Sequence, residues 1–184
     1  KDVIAACAGL YLEITSNSNT APTNSKVNLR LEAINRSPQN IILNSVELSD
    51  GTSIQKNIEL NQNDSQRFDA IYNVSSKETY STPYWLNEKG TLGMYKVTDQ
   101  NLIGLPETPH KTTGTFNLTI DGEAISYTKQ IIYKTNDPVK GEVYKPFEIV
   151  PEVSAKIAEK VMIFETDKPK DIPVIIKAGR DTVE

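Results

Sequence analysis

The sequence predicts an all-β fold, an immunoglobulin-like antiparallel β-sandwich. Apolar and polar residues alternate at period two, and strand candidates recur roughly every ten residues with turn-forming dipeptides between them. No segment sustains the three-to-four spacing of a long helix, and only residues 2–8 read as a helix end.

AGLYLEIT sets Leu10, Leu12 and Ile14 on one face and Tyr11 and Glu13 on the other. The Ser/Thr/Asn/Pro loop SNSNTAPTNS follows, and then KVNLRLEAIN. There Val27, Leu29, Leu31 and Ala33 fall on one face, with Asn28, Arg30 and Glu32 on the other, which marks a half-buried antiparallel strand. Asn35-Arg36-Ser37-Pro38 breaks that strand, and NIILNSVELS is the next. Asp50-Gly51 is a turn dipeptide leading into TSIQKNIEL. QRFDAIYNV alternates Phe68, Ala70 and Tyr72. TGTFNLTI and ISYTKQIIY form a hairpin around Asp121-Gly122.

Between the last two of these units, residues 75–109 carry weak strand signals and many turn formers, so they read as a long elaborated connection. A boundary is expected near TNDPVKGEVYKP, where proline, glycine and charge replace alternation. Residues 1–134 are then one sandwich. Residues 135–184 are a linker and the start of a second, truncated one, with strands in PFEIVPEVS, EKVMIF and IPVIIKA. Three short strands bury too little surface to stand alone, so either they pack onto the first sandwich or they begin a second one that is cut short. The ending at AGRDTVE, right after an apolar strand, favours the second.

The 184 residues carry 20 basic and 24 acidic side chains for a net charge of −4, scattered along the chain. Nucleic acid is not an expected partner, since phosphate binding needs a clustered basic face. No apolar run reaches the length of a membrane span. Cys7 is the single cysteine, which excludes an intrachain disulfide and a cysteine zinc cluster, and VIAACAGLYLE places it as a small buried residue.

Catalytic chemistry finds no foothold in the pattern. A histidine metal site or a Ser–His–Asp triad needs a histidine beside specific partners. The lone His110 sits in the turn-rich PETPHKTTG and reads as a surface histidine. Asp64, Asp69, Asp99, Glu107 and Glu123 belong to no paired-carboxylate motif. NQND lacks the spacing of a calcium loop, and Gly90 and Gly93 open no helix as a phosphate loop does. Asn-x-Ser/Thr triplets at Asn35, Asn63, Asn73 and Asn117 are common in so Asn- and Ser-rich a chain. No catalytic residue, metal ligand or cofactor is therefore assigned. Tyr84 and the only tryptophan, Trp85, leave two readings open: a plug wedged against a sheet, or a ring platform for stacking on sugar.

CAGLYLE, EAINRS, PYWL, GMYKVTDQNLIGLPETP and YKTNDPVKGEVYKPFEIVPEV follow one another in fixed order. Together they resemble the region after the catalytic domain in large bacterial PIG-L (LmbE-like) deacetylases, notably those of Bacteroidetes. There immunoglobulin-like, NEW3-like sandwiches follow a zinc-dependent N-acetylglucosaminyl deacetylase domain. The zinc motif Ala-His-Pro-Asp-Asp is absent here, and Lys111-Thr112 follows His110. The resemblance thus implies a non-catalytic accessory module of an exported enzyme, periplasmic or at the cell surface. Its partner would be the upstream catalytic domain of the same chain. The alternative is a carbohydrate-binding module that stacks glycan on Tyr84 and Trp85.

Overall fold

The computed structural model describes residues 1–166 and 168–179. The helix α1 (Asp2–Cys7) enters strand β1 (Tyr11–Ser16), followed by β2 (Thr20–Pro22), β3 (Ser25–Ile34), β4 (Ile41–Leu48), β5 (Ser53–Glu59) and β6 (Ser65–Val74). After the long connection come β7 (Thr113–Ile120), β8 (Glu123–Asp137), β9 (Gly141–Pro146), β10 (Glu148–Val150), β11 (Val153–Ile157) and β12 (Val174–Ala178). The fold is an all-β sandwich. Among the described residues no helix is long and apolar enough to cross a membrane.

Strand β8 explains how the two layers are joined. Its first half pairs with β7, next to β4 and β5. Its second half runs parallel to β1 and antiparallel to β9, in the layer that continues through β3 to β6. One strand therefore belongs to both sheets, and the hydrogen-bonded path curls into a sandwich. The inward faces are those the alternation marks. Leu12 and Ile14, then Val27, Leu29, Leu31 and Ala33, and Phe116, Leu118 and Ile120 are all buried in one core. Each of the larger ones, Ala33 apart, stabilises the fold by roughly 1.5–3 kcal/mol over leaving it in water. Strand β4 breaks strict alternation because its register shifts between Leu43 and Ser45, so Asn44 and Ser45 both stand on the outer face, bonded to Thr119 and Asn117, before Val46 returns to the core. The β7–β8 hairpin turns at Asp121 (φ 48°) and Gly122 (φ 90°), the left-handed pair that a two-residue hairpin demands.

The structure departs from the sequence reading at three places. Residues 135–146 are not a linker, and the strand in PFEIVPEVS belongs to the first sandwich and not to a second. β8 runs through residue 134 without a break, β9 pairs with it, and β10 pairs with β2. Phe147 and Ile149 are 1% and 3% exposed in the sandwich core, and Phe147 meets Tyr72 edge-on at 6.4 Å. Proline and glycine here mark the turn into an edge strand and its end, not a domain boundary. EKVMIF forms no strand. Among the described residues only β11 and β12 pair beyond Val150, as an antiparallel hairpin whose strand residues are all exposed. The residues after Gly179, where the second sandwich was expected to break off, lie outside the described residues. Finally, Cys7 is exposed, because the six-residue α1 buries none of its own side chains and the following Ala8 takes the core position.

Candidate functional site

The connection between β6 and β7 folds back on the sandwich as two arms. Its first arm is tied to β10, where Ser81 N–H donates to the Ile149 carbonyl (2.8 Å) and Ile149 N–H donates to Ser81 Oγ (2.9 Å). The second arm is tied to the first. Thr108 Oγ1 accepts from Tyr84 N–H at 2.8 Å and donates to the Thr82 carbonyl at 3.3 Å, and Lys111 Nζ donates to Thr79 Oγ1 at 3.0 Å. Pro83 precedes a 3-10 turn, Tyr84–Leu86, closed by Leu86 N–H to the Pro83 carbonyl at 2.9 Å. Thr82 and Asn87 bond across that turn.

Between the arms lies a cleft of about 610 Å³, floored by Phe147 and Ile149 and walled by Trp85, Tyr80, His110 and Glu107 among others. That volume and mixed lining match a small-ligand site. Trp85 is half-buried and stands outside the core cluster, so it is neither a core plug nor a free ring. Tyr84 does not line the cleft. Its ring meets Trp85 edge-on at 4.9 Å and 87°, and its hydroxyl donates to the Leu105 carbonyl at 3.3 Å. Two rings at that angle make no common flat platform, so Tyr84 braces Trp85 and Tyr80 is the second ring at the wall. His110 is half-buried on the opposite arm. Nothing local in the sequence joins Tyr80, Trp85, His110 and Phe147; the fold-back does.

The distal part of the connection is held by Glu88, which accepts from Thr98 N–H (3.1 Å) and Oγ1 (2.6 Å) and pairs with Lys96 at 3.0 Å. The bonds from Thr98, and then from Lys96, hold this carboxyl below its ordinary range. Leu92, Met94, Tyr95 and Ile103 nevertheless point into solvent, Leu92 completely.

A second polar cluster crosses the outer face of the β6–β3–β1–β8–β9 layer. Glu13 and Glu32 stand directly opposite each other on β1 and β3, which alone is repulsive. Arg67 on β6 answers Glu32 at 2.7 Å, while Lys134 on β8 bridges Glu13 (3.4 Å) and Glu142 (3.2 Å). Burial opposes the charge on Lys134, but Glu142 and Glu13 outweigh it and raise the ammonium above its usual 10.5. Burial first, and then the bond to Glu13, pushes Tyr11 up to about 12. The cluster is paired throughout, which is the arrangement of a structural network.

Glu32 yields a pH test. Burial works against its ionisation, but bonds from Ser65 and Arg67 prevail and hold the carboxyl below its usual 4.5. A folded value below the unfolded one gives stabilisation that is complete above the unfolded value and lost as pH falls through the folded one. The Glu32→Gln variant is therefore expected to lose less thermal midpoint than wild type between about pH 5 and about pH 3. Parallel melting curves across that window would refute the assignment.

Among the described residues no group of three His, Cys, Asp or Glu side chains is gathered to hold a metal ion. Of the Asn-x-Ser/Thr triplets, that at Asn35 is closed to modification, since Asn35 and Ser37 are both buried and bonded to each other. No protein-family model matches the chain, and no curated protein matches it.

Proposed function

We propose that this chain is a non-catalytic β-sandwich accessory module that docks a catalytic domain of the same protein, an exported PIG-L-type N-acetylglucosaminyl deacetylase. One observation carries the reading. The sandwich core is closed, yet its two appendages, the connection and the β11–β12 hairpin, present large apolar side chains to solvent. Leu92, Met94 and Tyr95 lie on the first, and Ile157, Val174 and Ile176 on the second. A lone two-stranded hairpin is marginal in water, and exposed apolar groups of this extent are a mark of interaction surfaces. The resemblance of the ordered motifs to the region after PIG-L domains supports this choice of partner.

The test is titration calorimetry against an isolated PIG-L-type deacetylase domain. Saturable binding that weakens about tenfold in Leu92→Asp or Ile176→Asp is the expected outcome. No heat up to roughly 100 µM would remove the docking role.

The cleft favours a second reading, a glycan-binding module. Trp85 and Tyr80 offer ring faces, and Glu107 and Asn87 offer polar contacts beside them. Because Trp85 is the only tryptophan, its fluorescence reports this site alone. Binding of N-acetylglucosamine oligomers is expected to shift its emission and to weaken about tenfold or more in Tyr80→Ala. An emission spectrum that glycan leaves unchanged counts against this reading.

A further inference from the structure

We propose that the free edge of β6 pairs antiparallel with the same edge of a second copy of this chain, about a two-fold axis at Phe68. Arg67 of each copy then faces Asp69 of the other. The proposal is independent of the docking role above.

Among the described residues strand β6 pairs only with β3, in unbroken register from Ser25 opposite Val74 to Ile34 opposite Ser65. In such a ladder alternate residues aim both backbone groups at the neighbour, and the rest aim both away. Asn73 fixes which set is which, because its N–H donates to Asp50 Oδ2 at 2.6 Å instead of to β3. The odd-numbered residues of β6 therefore present N–H and C=O groups at the open edge. Asp50 closes that edge at Asn73, leaving residues 65–71 as the open run.

Exposed edges invite pairing unless something blunts them, and the β5 and β9 edges are blunted. Along β5 the ladder to β4 slips, Asn57 has a φ of 50°, and Lys56 stands beside it. The β9 edge carries Lys145 and Pro146. Residues 65–71 read SQRFDAI, with neither lysine nor proline, and no register shift interrupts them.

The charges select the register. The open run centres on Phe68, and an axis there sets Arg67 against Asp69 twice and Ser65 against Ile71 twice. Moving the axis one residue either way puts Arg67 on Arg67 or Asp69 on Asp69, which is repulsive. Both side chains point to the outer face with exposures of 63% and 75%. Their bonds within the chain leave room for the new pair. Glu32 takes Arg67 Nε and Nη2, leaving Nη1, while Arg30 takes Asp69 Oδ1, leaving Oδ2. The two five-strand layers would join into one continuous sheet. The contact is a strip, so the association belongs to the weak class, with a Kd on the order of 10–1000 µM.

Sedimentation of the whole chain from about 10 µM to about 1 mM tests this. Wild type is expected to dimerise across that range. Arg67→Glu and Asp69→Arg are each expected to weaken the dimer about tenfold or more, since symmetry changes both charge pairs at once. An equimolar mixture of the two variants is expected to restore association, because each introduced charge then meets its opposite. Ile71→Pro removes an outward N–H and leaves the charges intact, and it is also expected to leave monomers. A monomeric wild type at the highest concentration, or variants that fail to complement on mixing, would overturn the proposal. So would a dimer indifferent to Ile71→Pro, with circular dichroism confirming that each variant is folded.

Discussion

A chain shortened to residues 1–134 is expected to lose its cooperative unfolding transition, whereas one shortened to residues 1–151 keeps it. The shorter chain lacks the end of β8, all of β9 and β10, and the buried Phe147 and Ile149. Removing a buried phenylalanine down to alanine costs about 3–5 kcal/mol and a buried isoleucine about 2–5. A domain of this kind has only about 5–15 kcal/mol in total. The same cut frees the first arm of the connection, in which Ser81 loses its bonds to the Ile149 carbonyl and from the Ile149 N–H. The longer chain keeps all of β1–β10 and discards the β11–β12 hairpin, whose strands, among the described residues, pair with each other alone. Urea denaturation followed by circular dichroism separates the outcomes. Equal midpoints for the two shortened chains would mean that the 135–150 segment is an ornament on a self-sufficient sandwich.

Asn35→Leu is expected to destabilise the sandwich by about 3 kcal/mol, more than its volume change alone explains. Asn35 is 1% exposed at the end of β3, and its carboxamide is fully used. Nδ2 donates to the carbonyls of Gln39 and Leu60, both at 3.0 Å, while Oδ1 accepts from Ser37 N–H at 2.9 Å and Ser37 Oγ at 2.8 Å. One side chain thus closes the β3–β4 turn and fastens the chain beyond β5. Leucine fills the space but leaves the Leu60 carbonyl and the Ser37 N–H buried without those partners, the costly direction of change. Asn35→Asp keeps the acceptor and loses the donor, so near neutral pH a carboxylate would face two carbonyl oxygens. It is expected to be at least as damaging there and to recover as acid protonates it. Chemical denaturation of both variants at two pH values reads the effect. A loss under about 1 kcal/mol for Asn35→Leu would show that water replaces the carboxamide bonds.

The parts of the fold legible in sequence are those where one face is buried and the other wet. The alternation of β1, β3 and β7 names their core residues because the period of a strand is two. Asp121-Gly122 names its own turn because few residues tolerate its backbone. Strand β8 was legible only as half of a hairpin. Its passage into the second sheet depends on which neighbour it meets, and no local pattern encodes that. Phe147 and Ile149 lie in PFEIVPEVS, legible as a strand but assigned to a second sandwich, since only its pairing with β2 shows which domain it completes. EKVMIF erred the other way, as apolar residues without a neighbouring strand form no sheet. At the cleft, the sequence singled out Trp85 by its rarity. Tyr80, His110 and the floor were missed because they come from separate segments that only the fold-back brings together. Asn35 resembled a simple strand breaker, since an asparagine that ends a strand and one that knots three segments are spelled alike.

The parallel pairs have a mechanical meaning. β1 lies parallel to β8, and β2 lies parallel to β10. Tension applied between Tyr11 and Val150 would drag each pair lengthwise past its neighbour, so that their hydrogen bonds bear load together instead of opening one after another. The rate of forced unfolding is set by the barrier along that pull and not by equilibrium stability. Pulling on single molecules through those two positions is expected to give a higher rupture force than pulling across the β7–β8 hairpin, which peels. A module hung between moving parts of a larger protein would in this way transmit force before it yields.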